Sequence, residues 1–532
     1  KIDVDKIVIE RVDSFNLLYQ SVWLSLSEEQ KKRLRFRTLN TKAISFDNSN
    51  ADYRLRGIGI IDPDYVVPGM KVDVVVELIA KDGETVEQRA QFTVGFAAKE
   101  MGKTYTTNVN VPIQSADTAV QPVSTVPTIA SGDGFTVALR ADGTVWAWGR
   151  NDAYDMLGSG SDNQQSVVFA PTQVRDTKDP TGFLTGVTQL AVGDHFVLAL
   201  KETETLGENG IITHGGMVYG WGLNNEVQLG NNDYYIRAND GKIVGNNVLL
   251  NILEGTPTVV LQNFTSKSGT PTEPLGTEVL IDEHAAELGT SEEYANSVMK
   301  VVAKADHAAA LMENGNLYIW GATANGKSGK DKQRLGNFTS AVQVKTSFVR
   351  DVAVGEAHTV VLKRDGVVWA MGDNTYGQLG IGTKVTSTTS LKKVMIDEDT
   401  PLSDIAAVVA GATFTLAMDS QNRIWIWGLY NGTNHPYATL VVDYGDDMGA
   451  GEVQNLEEKI YQISARADTF ALLDVEGKAF INQTVGTDDE LYQVRNGEAK
   501  YYNGNEAEDV LTGIISVASG TDHVMFIVED GS

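Results

Sequence analysis

From residue 129 to the end, short runs of apolar residues alternate with polar ones and are broken by turns rich in Gly and Asp. A period of two places successive side chains on opposite faces of an extended chain, so the pattern predicts half-buried strands. Residues 352–382, VAVGEAHTVVLKRDGVVWAMGDNTYGQLGIG, show the unit. A tight spot at Gly355 leads into an apolar run around Val360 and Leu362, and Asp365-Gly366 leads into a second run through Val368 and Trp369. Asp-Gly between β-rich runs predicts a hairpin, with glycine supplying the positive φ.

The unit recurs. Copies begin near 129, 190, 301, 352, 408, 463 and 516, seven in all. Gly143, Gly315 and Gly477 occupy the place of Gly366, and Gly132, Gly193, Gly411 and Gly520 that of Gly355. Copies three and six carry Lys304 and Arg466 there, which predicts a local adjustment of the turn. Trp148, Trp221, Trp320 and Trp427 each precede a glycine; one large aromatic per repeat suits the wedge between neighbouring sheets.

The fourth copy, with Gly355, His358, Thr359, Asp365, Gly366, Gly372, Asn374, Gly377, Gln378, Leu379 and Gly380, resembles the repeat of the regulator of chromosome condensation family, although Met371 replaces its usual Trp. The resemblance covers about four fifths of the chain. It implies an all-β fold, a seven-bladed β-propeller that closes once all its repeats are present.

Residues 1–102 have a different texture and predict a small immunoglobulin-like β-sandwich, with the propeller over 103–532. Ser27 to Gln30 reads as a capping box on a short helix, and Asp82-Gly83 as a hairpin turn whose preceding strand buries Val72, Val74, Val76 and Leu78 on one face. The alternative is a β-rich cap on the propeller. An insertion over 231–297 separates copies two and three, with strands at 248–252 and 257–264 and a short helix after 278. The seventh copy stops at its hairpin turn, so residues 104–124 are expected to pair with 524–528 and complete that blade.

Composition narrows the function classes. The net charge is -27, from 70 acidic and 43 basic residues, which disfavours nucleic acid and anionic membrane surfaces. No apolar run reaches membrane-spanning length, and there is no Cys for a disulfide, thiolate metal site or nucleophile. The chain opens on Lys1, as a processed or excised fragment would. It shows no nucleophile elbow, P-loop or HExxH, so the expectation is no catalytic residue, no cofactor and no enzyme. His195, His307, His358 and His523 recur at one repeat position; Phe135 and Phe414 fill it elsewhere, so it reads as packing and no metal is expected. DYGDDMGAGE and IDEDTPLSD lack the spacing of an EF-hand and read as solvated loops.

Tyr154, Tyr234, Tyr235, Tyr376, Tyr430 and Tyr437 lie in loops after the Trp-Gly strand or its equivalent, and are the candidate binding residues. The first reading is an extracellular or cell-surface, bacterial, adhesive protein whose loops recognise a protein or glycan. The second is a structural subunit of a surface layer or fibre, tiling against copies of itself. The third is an intracellular regulator: the resemblance implies a guanine-nucleotide exchange factor binding Ran and chromatin, or an enzyme inhibitor like the bacterial propellers that bind β-lactamases through aromatic loops.

Overall fold

A computed structural model describes residues 6–8, 26–38, 43–46, 48–49, 58–61, 70–83, 85–95, 127–151, 156–160, 166–176, 180–206, 212–224, 226–230, 253–259, 262–263, 278–281, 293–296, 298–322, 327, 341–430, 432–443, 454–455, 459–474, 477, 479–482, 491–494, 500–502, 507–509, 514–519 and 524–528. The chain divides into two compact units: Lys1–Pro122, Thr203–Gly216 and Gly276–Met299 form one, and Val123–Glu202, Met217–Leu275 and Lys300–Ser532 the other.

In the first unit, Leu34–Thr38, Lys71–Ile79 and Val86–Gly95 make a three-stranded antiparallel sheet, and Lys6–Val8, Ile44–Phe46 and Ile58–Ile61 a second. The helix Glu28–Lys31 has the capping box: Gln30 N–H donates to Ser27 Oγ and Ser27 N–H to Gln30 Oε1. Val72, Val74, Val76 and Leu78 are buried as the alternation requires, but Val75 and Glu77 on the opposite face are buried too. The single-faced reading therefore fails. Glu77 is accommodated because Arg35, Arg37 and Arg89 all donate to its carboxylate, at 2.6–3.1 Å. Their charges and hydrogen bonds outweigh the burial and hold its pKa below the usual range.

The second unit is the repeat array. Seven sheets built on antiparallel strands follow in sequence order, with a separate hairpin of Lys500–Tyr502 and Ala507–Asp509 before the seventh, and the inner strand of the seventh, Ile514–Ser519, lies against that of the first, Thr128–Ser131. This is a closed propeller. Blade 4 is the full repeat: Val349–Val354, His358–Lys363, Val368–Asp373 and Ser387–Lys393. The third strand meets the outer one with a register shift next to Gly372. Gly372 has φ +117°, and a Cβ there would lie 2.4 Å from the Ala357 carbonyl oxygen, so only glycine fits.

Blades 3 and 5 carry a fifth strand each, Gln262–Asn263 and Gln454–Asn455, paired parallel to their outer strands. Gln262–Asn263 comes from the insertion, whose Leu253–Val259 is the outer strand of blade 2. The expected helix after 278 is not found among the described residues: Glu278–Ile281 and Glu293–Asn296 form a hairpin. Residues 248–252 and 104–124 lie outside the described residues.

The residue before the inner strand takes a left-handed backbone in blades 2, 4 and 5, at Gly186 (φ 71°), Phe348 (φ 58°) and Asp404 (φ 64°). Phenylalanine is strained there, and Phe348 recovers little by burial, being 63% exposed. Phe348→Asn is therefore expected to stabilise the chain by about 1 kcal/mol, read as a raised urea midpoint. An unchanged or lowered midpoint would refute the strain.

Candidate functional site

Because strands alternate in direction, the turn after the inner strand and the loop after the third strand emerge on the same face. That face carries the candidate site: the inner turns lie at its centre and the long loops at its rim.

The loop of blade 4 is built around Asn374. Its Nδ2 donates to the carbonyls of Gly382 (2.8 Å) and Val385 (2.7 Å), and its Oδ1 accepts from Leu379 N–H (3.0 Å). Asn151 and Asn224 accept from Leu157 and Leu229 in the same way in blades 1 and 2. Gln378 Oε1 accepts from Tyr376 N–H at 2.8 Å, while its carbonyl receives the indole N–H of Trp427 from blade 5 at 3.0 Å. Trp221 donates likewise to Met156, and Trp320 to Gln228. Each of these three fully buried indoles thus ties its blade to the loop of the preceding blade. Met371, buried in blade 4, makes no such bond, and Trp148 in blade 1 is only half-buried.

The fixed loop presents Tyr376 to solvent at 41% exposure, with Val385 beside it in the same loop. Tyr437 approaches from blade 5, its hydroxyl 2.8 Å from where a Cβ on Gly382 would stand. Tyr430 packs inward, its ring centroid 5.7 Å from that of Phe470 and 6.4 Å from that of His435. The structure thus brings Tyr376 and Tyr437 to the junction of blades 4 and 5, and uses Tyr430 for packing between blades 5 and 6. Tyr154, Tyr234 and Tyr235 lie outside the described residues.

The centre of the face is charged. Asp133, Asp194, Asp306, Glu356 and Asp468 sit in the inner turns of blades 1, 2, 3, 4 and 6, with Lys304, Lys327 and Arg466 among them and Arg150 bonded to Asp133 at 3.0 Å. Lys327 bonds the Asp306 carboxylate and, at 3.0 Å, the Glu356 carbonyl. Desolvation and then the neighbouring Asp194 push the Glu356 carboxyl up. Burial, then the Arg466 charge, hold the Lys304 ammonium well below its usual range. Among the described residues, no group of three or more His, Asp or Glu side chains is placed to hold a metal ion. Asp397 of the IDEDTPLSD loop is engaged in its own turn, accepting from the N–H groups of Asp399 and Thr400.

The histidines divide. His307 and His358 are fully buried, with Nε2 facing Thr359 Oγ1 (3.4 Å) and Thr415 Oγ1 (2.9 Å) of the next blade. Gly355 is required beside His358, because a Cβ there would fall 2.0 Å from the imidazole. In blade 2 the ring that meets the glycine is Phe196, so the assignment of His195 to this position is corrected by one residue. His195 instead places Nε2 3.2 Å from Asp133 Oδ2. His523 lies outside the described residues. Sequence reasoning also missed Lys327, whose role rests on contacts across two turns and leaves no local pattern.

Two sequence models of the regulator of chromosome condensation (RCC1) repeat match this chain, one at 128–154, 298–327 and 349–378, the other at 142–200 and 365–418. Protein pim1 of Schizosaccharomyces pombe is 25% identical over 317 residues, 57% of this chain and 46% of pim1. Human HERC6, a probable E3 ubiquitin-protein ligase, is 25% identical over 233 residues, 42% of this chain and 21% of HERC6. The chain spans less than half the length of these curated relatives. The crystal structure of human WBSCR16 superposes with a TM-score of 0.50 at 18% identity, covering 76% of this chain and 89% of that one, a likeness of fold. HERC6 overturns one expectation. Missing catalytic motifs in this stretch do not set the protein apart from enzymes, because a relative that shares the repeats is a probable ligase.

Proposed function

We propose, for a chain that is an RCC1-like repeat β-propeller, that it is a protein-recognition module docking its partner on the face of the inner turns, with the junction of blades 4 and 5 as anchor. The observation that carries this reading is Tyr376, exposed at the tip of a loop whose backbone Asn374 and Gln378 fix. An aromatic held rigidly in solvent loses little entropy on binding. Supporting it, Tyr437 stands at the same junction, and the centre of the face supplies charge for orientation.

The test uses a photoreactive phenylalanine analogue at position 376 or, on the opposite face, at position 348. Adducts to one and the same protein from position 376 but not from 348 are expected, and the reverse would place the docking face wrongly. With that partner in hand, Tyr376→Ala is expected to weaken binding at least tenfold, about 1.4 kcal/mol or more, with an unchanged unfolding midpoint.

In the same proposal the protein works outside the cell or on its surface, with the N-terminal unit as an immunoglobulin-like spacer. The net charge of -27 and the absence of Cys accord with this, and protection of the protein from added protease on intact cells of its source would refute it. The second reading, an intracellular regulator, is favoured by the repeats shared with HERC6.

A further inference from the structure

We propose that Lys304 and Arg466 are reciprocal struts across the propeller axis, locking two half-rings together and sealing the passage between them. The inner turns are joined by backbone bonds in two series. Asp133 N–H donates to the Asp194 carbonyl and Asp194 N–H to that of Ala305, linking blades 1, 2 and 3. Glu356 N–H donates to the Ala412 carbonyl and Ala412 N–H to that of Ala467, linking blades 4, 5 and 6. Each series ends in one of the two repeats that replace the usual glycine by a cation.

Those cations reach into the opposite series. Lys304, at the end of the first, donates Nζ to the carbonyls of Ala410 in blade 5 and Ala465 (3.0 Å) in blade 6. Arg466, at the end of the second, donates to the carbonyls of Val192 (2.8 Å) and Gly193 (3.0 Å) in blade 2 and to the Asp194 carboxylate (3.1 Å). Both side chains are buried, at 5% and 7% exposure, where a cation is tolerated only when fully hydrogen-bonded. The turn conformation is altered to aim them: Ala305 and Ala467 have φ values of 48° and 46°, which no residue at that place shows in blades 1, 2, 4 and 5. A strained turn, a buried charge and a partner on the far side of the axis occur together twice, and only in these two described blades.

The struts predict that damage on one side of the axis is felt on the other. The experiment is hydrogen exchange on the full 532-residue chain, comparing Lys304→Met and Arg466→Met with the parent protein. Methionine keeps length without charge; Lys304→Gly and Arg466→Gly, which restore the repeat's own residue, form a second pair should a methionine variant fail to fold. With Lys304→Met, exchange at the amides of Ala412 and Asp194 should accelerate at least tenfold, while the outer strand of blade 4 keeps its protection. With Arg466→Met, the Asp194 amide should respond likewise, and the two substitutions together should cost less than the sum of each alone. Acceleration confined to each variant's own turn, or strictly additive effects, would overturn the proposal.

Discussion

Replacing Trp427 by alanine is expected to remove about 3–5 kcal/mol from the stability of the propeller. The side chain is fully buried among Leu379, Val394 and Ala438, and its indole N–H is bonded to the Gln378 carbonyl of the preceding blade. The substitution leaves a cavity at the junction and an unpaired carbonyl beside it. It also slackens the loop that displays Tyr376, so partner binding should fall although Trp427 is out of reach of any partner. Trp369 is the control. It is half-buried beneath Lys363 and Lys393, 4.8 and 5.6 Å from its ring centroid, and its indole N–H has no acceptor. Trp369→Ala should cost less than half as much in urea denaturation; equal losses would mean that the indole bond and the junction packing are not what matters.

Acid is expected to weaken the propeller well before its carboxylates are neutralised. Burial, then the Lys304 charge, hold the His358 pKa down to about 3, and burial with Lys327 and His358 drives His307 well below its usual range. In the unfolded chain both protonate near pH 6.5. Between that pH and about 3 the unfolded state binds more protons, so this stability is complete above pH 6.5 and declines as pH falls. His358 contributes roughly 2–3 kcal/mol of that decline between pH 6.5 and 4.5, and His307 adds to it in the same direction. His358→Phe places in blade 4 the ring that Phe135, Phe196 and Phe414 supply in blades 1, 2 and 5, and should flatten the profile in that window. A variant with the parent's slope would show that His358 does not titrate on unfolding.

What could be read in advance was local. Hairpin turns, the capping box at Ser27, the glycine before the ring at Gly132, Gly355 and Gly411 and the buried Trp221, Trp320 and Trp427 depend on residues a few positions apart and are found as expected, whereas Trp148 is only half-buried. His195 was misplaced because GDHFVLAL offers two rings in succession; counting three residues from Gly193, as from Gly355 to His358, gives Phe196. The tyrosines were legible as loop residues but not as exposed or packed, since the ring that covers Tyr430, Phe470, belongs to the following blade. The altered turns at Lys304 and Arg466 were expected from the lost glycine. Their targets were not, because Ala410 lies 106 residues from Lys304 and Val192 lies 274 residues from Arg466.

The indoles that tie blade to blade give the protein built-in optical reporters. Trp221, Trp320 and Trp427 each sit at a different seam, between blades 1 and 2, 2 and 3, and 4 and 5, in dry surroundings with a bonded N–H. Water reaching any one seam shifts that indole's emission to longer wavelength. With only eight tryptophans in the chain, variants that keep one of the three would show which seam parts first as the ring opens, without an added dye.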